Sequence, residues 1–464
     1  MTPTLPPDDR APSRMAFARH PVAFLGAFVT TAAAVLFLAL AGAMAMGLLV
    51  NPYAGLLVFV ALPLVFLAGL LLIPVGVRMQ RRRERLHPGL SSWPVIDFAQ
   101  PRTRQVVGTL LGLTCLNVAI VLVAGYGTVR WMESPSFCGQ VCHEPMHPQY
   151  VAWQNAPHAK VTCVQCHIGE GQAAFVHYKL AGVRQLVHAV TNEYPRPIPP
   201  QADMRPATET CANCHWSGQP YGSRLLVSHQ YGDDESNTDS ATALMLHVGG
   251  PGVPTASGKA IHWHADPNVK IEYVATDASR QTITWVKLTR PGGASTEFAV
   301  EGLTPDALAA GHRRTMDCLD CHNVVAHRVS TSAEAAVDEA ITNGAIPRDL
   351  PFVRREGVRL LRASYPTQER ALSAIETALR EFYRTRPIPG VDGGVGQAVL
   401  GLQRVYQRNV FPSMRVTFGV YPDNIGHTSS PGCFRCHDGS LVAPDGAAIS
   451  SDCDTCHRLL DAVP

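Results

Sequence analysis

The sequence predicts a mainly α-helical, membrane-anchored fold, and three observations predict it. The first 131 residues hold three apolar segments, each long enough to cross a bilayer as a helix. The remaining residues hold six cysteine pairs, each followed at once by a histidine. Residues 333–410 place apolar side chains at 3.6-residue spacing, which indicates helices. We therefore expect three N-terminal transmembrane helices, then an extracytoplasmic domain of short helices and loops with a small β-hairpin insertion.

The six cysteine pairs carry the chemistry of the chain, and we number them motifs 1 to 6. Paired cysteines followed by histidine form the attachment signature of c-type haem, in which the two thiols bond the porphyrin and the imidazole binds its iron. The cysteines are Cys138, Cys142, Cys163, Cys166, Cys211, Cys214, Cys318, Cys321, Cys433, Cys436, Cys453 and Cys456. The expected proximal histidines are His143, His167, His215, His322, His437 and His457. Motif 1 differs from the others because three residues separate its cysteines, not two.

Zinc ribbons and disulfides are the alternatives to haem. Twelve of the 13 cysteines fall in these pairs, and with 19 histidines in 464 residues a histidine follows a given residue about one time in 25. Zinc sites place no demand on the residue after a cysteine pair. The sequence therefore predicts six covalently bound haems, which makes the domain a haem-packed multihaem cytochrome c. Cys115 lies in an apolar run and is expected to be a small buried side chain.

The two parts of the chain carry opposite charge. Residues 1–131 contain 11 Lys and Arg against 4 Asp and Glu, and residues 132–464 contain 28 against 33. A domain with a net charge of −5 does not suit nucleic acid, because binding to phosphates needs clustered basic side chains. It suits a partner with a basic docking face.

The apolar segments give the expected topology. They run over Pro21–Val50, Tyr53–Val77 and Val106–Thr128, after a tail, residues 1–20, that is expected to be disordered and cytoplasmic. Residues 78–104 form a basic loop, and such loops stay in the cytoplasm. We therefore expect a multi-pass protein of a bacterial inner membrane, with a membrane domain over residues 21–131 and a periplasmic haem domain. A signal peptide cleaved near Ala43 is the alternative for the first segment.

The motifs divide the haem domain into three regions. Residues 132–216 hold motifs 1 to 3, residues 217–316 hold none, and residues 317–464 hold motifs 4 to 6. The middle region contains Lys270–Thr289, whose alternating apolar and polar residues predict a β-hairpin. Helices are predicted in the last region over Ala335–Ile341, Val353–Leu361, Gln368–Tyr383 and Gly396–Val410.

Residues 105–216 resemble the NapC/NirT family of membrane-anchored multihaem quinol dehydrogenases. The resemblance is carried by a haem motif close behind a transmembrane helix, by the nearby Met146, and by Asn155-Ala-Pro-His158-Ala before Cys163. The stretches around motifs 3, 4 and 5 are similar to those of larger inner-membrane relatives. The resemblance implies a membrane quinone pool as electron source, quinol as substrate, and a periplasmic or outer-membrane-linked cytochrome as acceptor in anaerobic respiration. The chain departs from four-haem members in its three helices and in motif 1.

Further histidines are candidates for the distal iron ligands. Outside the motifs the haem domain has eleven, and neutral imidazole is a good ligand of iron. By resemblance His158 is a distal ligand, and His327 and His427 come next because they lie close to motifs in sequence. Weaker candidates are His188, His229, His247, His262, His264 and His312.

Two further residues are candidates for special roles at motif 1. Met146 is a candidate ligand of the first iron, or packs on the porphyrin face. Lys179 occupies the place of the family's quinol-site lysine, or lies at the membrane interface as a snorkelling side chain. Quinol oxidation releases protons, so its site needs a base or a polar relay.

Three functions stay open at this point. The first is a quinol-oxidising electron-transfer protein. The second is a terminal multihaem reductase of a small oxyanion, which needs one five-coordinate haem. The third is a passive subunit that receives electrons from a membrane-subunit partner docked on the added helices.

Overall fold

A computed structural model describes residues 20–45, 57–86, 98–141, 143–168, 172–200, 204–215, 221–250, 260–385 and 392–461. The chain divides into two compact units, Met1–Glu133 and Ser134–Pro464. Of the tail expected to be disordered, only His20 belongs to the described residues.

The first unit is helical. Its helices are α1 (Pro21–Ala45), α2 (Leu62–Leu86) and α3 (Pro101–Met132), with a π-helical turn at Leu57–Ala61 before α2. Two stretches of the described residues are long and apolar enough to cross a membrane, Pro21–Ala43 and Leu62–Gln80. α3 contains an apolar stretch, Val118–Met132, that is shorter than these two. The third predicted span is therefore a helix, and its membrane crossing stays a prediction.

Small residues let α1 and α2 pack closely as an antiparallel pair. A Cβ added to Gly26 would lie 2.8 Å from the carbonyl oxygen of Gly69, and one on Gly69 would lie 2.8 Å from the backbone nitrogen of Thr30. The Thr30 hydroxyl donates to the Gly26 carbonyl within its own helix at 2.8 Å. In lipid, where water cannot drive association, such close backbone approach is a main source of helix–helix attraction.

The basic segment predicted as part of a loop is helical at its beginning. Arg78 and Arg85 both lie within α2, which runs on to Leu86, and residues 87–97 fall outside the described part. The loop prediction was wrong here because arginine is a good helix former and positive charge at a helix C-terminus is stabilised by the helix dipole.

The second unit combines short helices, two β-sheets and a helical bundle. Its helices are α4 (His143–Gln154), α5 (Cys163–His167), α6 (Gln172–Thr191), α7 (Ala207–Thr210), α8 (Pro305–Ala310), α9 (Cys318–Cys321), α10 (Ala333–Thr342), α11 (Val353–Arg362), α12 (Gln368–Arg384) and α13 (Asp392–Asn409). Its strands are β1 (Arg224–Tyr231), β2 (Asp239–Leu246), β3 (Lys270–Ala275), β4 (Ile283–Thr289), β5 (Ser295–Ala299), β6 (His312–Thr315) and β7 (His457–Leu459).

The predicted hairpin is present as β3 and β4, but it belongs to a larger structure. The four-stranded sheet has the order β5-β4-β3-β6, and a second sheet has the order β1-β2-β7. The expectation of one small hairpin was therefore too simple. Strand β1 is largely exposed and β2 is mostly half-buried, and neither has a clear apolar alternation, so no periodic signal predicts them. β7 joins β2 across more than 200 residues and contains the histidine of motif 6.

Helices α10 to α13 form a bundle around the main apolar core. Ile375, Leu379 and Leu402 are fully buried there, together with Val337 and Tyr406. All four helices occur where 3.6-residue spacing predicted them. The bundle core also receives a residue of β1, which fixes the second sheet against it.

Candidate haem sites

Motifs 2 to 6 each fold as a short helical turn. In motifs 3 and 4 the backbone N–H of the histidine donates to the carbonyl of the first cysteine, from His215 to Cys211 and from His322 to Cys318, at 2.8 Å in each case. Residues three apart share one face of such a turn, so both thiols of a pair are presented to one ligand. The turn also fixes the histidine directly beside them.

Polar side chains cap the turns of motifs 2 and 4. Asp317 accepts a hydrogen bond from the Leu319 N–H at 2.9 Å, and Asp320 accepts one from the Asp317 N–H at 2.8 Å, which completes a capping box around motif 4. Thr162 and Gln165 form a capping box at motif 2. These bonds satisfy N–H groups that a helix as short as one turn would otherwise leave unpaired.

Motif 1 begins in a π-helical turn, Phe137–Val141. A π turn holds one more residue than an α turn, which matches the third spacer residue of this motif. Gly139 is buried against the Tyr150 ring, and a Cβ there would collide with that ring. Cys142 and the His143 side chain lie outside the described part.

Five motif histidines each face one histidine from elsewhere in the chain. The ring centroids of these pairs are 5.8 to 6.3 Å apart. The pairs are His167–His327, His215–His158, His322–His262, His437–His264 and His457–His427. Each pair joins one motif histidine to one non-motif histidine, a regularity that ordinary aromatic packing does not require.

The spacing of these pairs fits two ligands of a single metal ion. A metal–imidazole bond of about 2 Å, added to about 1 Å from nitrogen to ring centre, places two opposed ring centres about 6 Å apart. The five observed separations agree with this sum.

Hydrogen bonds orient four of these rings. The Nδ1 atoms of His264 and His437 lie 2.7 Å from the carbonyl oxygens of Ile261 and Ser450. His327 Nδ1 lies 3.0 Å from the Gln149 carbonyl, and His158 Nδ1 lies 3.4 Å from that of Val325. A carbonyl only accepts, so Nδ1 carries the proton and Nε2 keeps its lone pair for a metal.

Burial keeps three of the paired histidines neutral. It lowers the pKa of His262, His322 and His327 below the usual value, because a charged imidazolium is poorly solvated inside the protein. A hydrogen bond from His327 to Gln149 and the charge of Asp423 near His322 oppose this effect and are smaller. Neutral imidazole is the form that binds iron.

Sequence proximity does not predict which rings meet. His327 lies five residues after His322 yet faces His167, and His427 lies shortly before motif 5 yet faces His457. His262 and His264, two of the weaker candidates, face motifs 4 and 5 from one 3₁₀ turn, Ile261–Ala265. Residues 217–316, which hold no haem motif, therefore contribute histidines to two of the candidate sites. The sequence signal that could have identified these two histidines as a pair of ligands is the His-Trp-His repeat itself.

The other weaker candidates lie elsewhere. His229 Nδ1 bonds the Asp239 carboxylate at 3.0 Å, and His312 is exposed on β6. His247 bonds the Cys456 carbonyl through its backbone, and His188 Nδ1 is buried without a hydrogen-bond partner in the described part. Within the part of the chain that the structure describes, none of these four rings faces a motif histidine.

The two candidates for the motif 1 site are located only in part. Met146 is half-buried on α4, and Lys179 belongs to α6 with its side chain outside the described part. The structure therefore describes the backbone that carries them, and their roles stay predictions.

The motifs lie beside one another in chain order. Burial is the main cause that raises the pKa of Cys166, Cys318, Cys321 and Cys456, and a hydrogen bond with Cys138 is the main cause for Cys163. A thiol of a neighbouring motif lies near enough for its charge to raise each of these pKa values further. The neighbouring pairs are Cys138–Cys163, Cys166–Cys211, Cys211–Cys318, Cys321–Cys433 and Cys433–Cys456. The six motifs therefore make one row from motif 1 to motif 6.

The alternatives to haem find no support among the described residues. All eleven cysteines whose side chains are described are outside disulfides, and no group of three His, Cys, Asp or Glu side chains could hold a metal ion there. Burial, as the main cause, raises the pKa of the Cys436 thiol to about 12. Large apolar side chains beside the motifs, such as Phe434 and Leu459, are exposed, as expected where a porphyrin would cover them.

Attachment turns, opposed histidines and a row of thiols together define a c-type cytochrome with several covalently bound haems, a class that carries electrons. The NapC/NirT cytochrome c family, N-terminal region, matches residues 100–198. The chain is also 37% identical over 450 residues to the cytochrome c-type protein ImcH of Geobacter sulfurreducens, covering 95% of this chain and 87% of that protein. The chain belongs to the NapC/NirT family of membrane-anchored cytochromes c. No solved structure matches it.

Proposed function

We propose that this protein oxidises quinol at the inner membrane and passes the electrons along six covalently bound haems to a periplasmic or outer-membrane-linked cytochrome. The observation that carries the proposal is the row of motifs whose proximal histidines face five further histidines. A bound haem supplies reversible one-electron exchange. The chain supplies the ligands, their order and their surroundings.

The histidine pairs act as ligand sets in this proposal. His327, His158, His262, His264 and His427 are the distal partners at motifs 2, 3, 4, 5 and 6, in that order. If both histidines of a pair hold the iron of a bound haem, no position would be left at that iron for a substrate. Sites built this way favour electron transfer over reduction of a small oxyanion. The alternative function, a terminal reductase, would therefore have to use the haem at motif 1.

Motif 1 is the proposed entry point for electrons. Its proximal ligand is His143, and Met146 is the candidate on the opposite side. Lys179 is proposed to accept or relay a proton as quinol is oxidised, since both protons of quinol must leave. α6 has Lys179 and Arg184 as its charged residues and no acidic one, which suits an anionic membrane surface.

The proposed topology has three membrane-spanning helices, with the basic end of α2 in the cytoplasm and the haem domain in the periplasm. The arginines within Arg78–Arg85 support it, because basic segments stay on the cytoplasmic side.

The ligand proposal is tested with His327→Ala in the purified full-length protein. We expect one low-spin haem to become high-spin, measured by absorbance and electron paramagnetic resonance. His229→Ala is the matched control, because the His229 ring is hydrogen-bonded to the Asp239 carboxylate. A spectrum of His327→Ala that equals wild type would contradict the assignment.

The entry point is tested in membranes with the same protein. Lys179→Ala should slow quinol-dependent haem reduction while dithionite reduces all haems as before. Equal rates in wild type and variant would remove Lys179 from the proposal. Quinol-independent reduction by a membrane partner would support the passive subunit, and binding of added nitrite at a high-spin haem would support the reductase.

A further inference from the structure

Arg435 lies between the cysteines of motif 5, and its guanidinium is buried against motif 4. It is 8% exposed. Its Nε donates to the Gly432 carbonyl at 2.8 Å, its Nη1 to the Arg280 carbonyl at 3.1 Å and its Nη2 to the Asp320 carbonyl at 2.6 Å. Asp320 stands between the two cysteines of motif 4. A single side chain therefore ties the two attachment turns together.

All three acceptors of Arg435 are uncharged carbonyl oxygens. The one buried carboxylate nearby, that of Asp320, is occupied by other partners: it accepts from the Tyr273 hydroxyl at 2.5 Å and pairs with Arg314 at 3.0 Å and Arg280 at 3.4 Å. Among the described residues no carboxylate forms an ion pair with Arg435. The buried guanidinium of Arg435 is therefore held by backbone carbonyls and not by a carboxylate of the described residues.

A buried charge without a counter-ion is costly, and its field is little weakened by solvent. The guanidinium reaches both motifs, since Arg435 lies between the cysteines of motif 5 and its Nη2 donates to the Asp320 carbonyl inside motif 4 at 2.6 Å. Asp438, which follows motif 5 directly, is exposed, so water and salt screen its charge.

We propose that the buried guanidinium of Arg435 raises the reduction potentials of the haems at motifs 4 and 5. Reduction of a ferric haem by one electron lowers the charge of its site by one unit, and a fixed positive charge nearby stabilises that product. The inference rests on the haem assignment proposed above.

The test is a potentiometric titration of the full-length protein, followed by haem absorbance, for Arg435→Gln. At a fixed potential we expect the ratio of reduced to oxidised haem to fall about tenfold at one or two haems, a midpoint lower by about 59 mV. Arg435→Lys keeps the charge and should keep most of the wild-type potential. Arg458→Gln is the matched control, because this arginine adjoins motif 6 but is exposed to solvent.

Three results would overturn the inference: unchanged midpoints in Arg435→Gln with all haems bound, equal shifts in the Lys and Gln variants, or an equal shift in Arg458→Gln. If Arg435→Gln fails to bind haem, Asp320→Asn provides a second measurement. Loss of that carboxylate should raise the same midpoints, and a fall would contradict the proposal. Fewer than six haems in wild type would instead contradict the proposed function.

Discussion

The helical bundle and the motif-bearing segments of the second unit are stabilised in different ways. The bundle of α10 to α13 encloses a large apolar core. The segments around the motifs have far less: one cluster there consists of Val329, Phe411, Met414 and Val416. Their order depends on capped one-turn helices and on histidines from distant segments.

We expect the two regions to depend on haem to different degrees. Burial of apolar area gives the bundle its stability directly. The motif segments bury less apolar area, so we expect the free energy of haem attachment and ligation to offset part of their loss of chain entropy. Folding of the motif segments is then coupled to haem binding, whereas the bundle is expected to fold without haem.

The largest expected effect separates these regions by removing one haem. Cys318→Ala combined with Cys321→Ala prevents attachment at motif 4. We expect amide hydrogen exchange around residues 260–330 to accelerate by about tenfold or more, because the ligands there lose their shared metal. The bundle should keep its protection. Equal acceleration in both regions would mean that they form one cooperative unit.

A substitution in the core of the bundle should destabilise the bundle and leave the haem sites unchanged. Leu402 is fully buried, and Leu402→Ala should lower the free energy of unfolding of the bundle by about 2–5 kcal/mol. Haem absorbance of the folded protein should stay as in wild type. Leu400→Ala is the matched control, since this residue of the same helix is 54% exposed and should cost less than about 0.5 kcal/mol. Thermal unfolding followed by circular dichroism gives both values, and similar losses would refute the buried core.

The smallest expected change in stability concerns the N-terminal cap of α10, the first helix of the bundle. The Ser332 hydroxyl accepts from the Ala335 N–H at 3.0 Å and caps α10. Ser332→Ala should lower the free energy of unfolding by about 1 kcal/mol, and Ser332→Asp should retain the cap. The same unfolding assay measures the two variants. A loss in the Asp variant as large as in the Ala variant would show that the cap is not the cause.

Local patterns were enough for several features. The positions of α10 to α13, the β3–β4 hairpin and the haem-attachment motifs all follow from spacing over a few residues. Membrane helices were likewise visible as apolar runs, although the helical extension of α2 through Arg85 was not, since basic residues carry no strong boundary signal.

The six candidate attachment motifs could be found in the sequence alone, because both thiols and the histidine of each motif are neighbours within one turn of chain. The folded structure was needed to show which distant histidine faces each of motifs 2 to 6, and which carbonyls enclose Arg435. His327 and His167 are separated by 160 residues, and no short-range pattern relates them. Their pairing depends on how turns, sheets and bundle bring distant backbone together, a property of the whole folded unit.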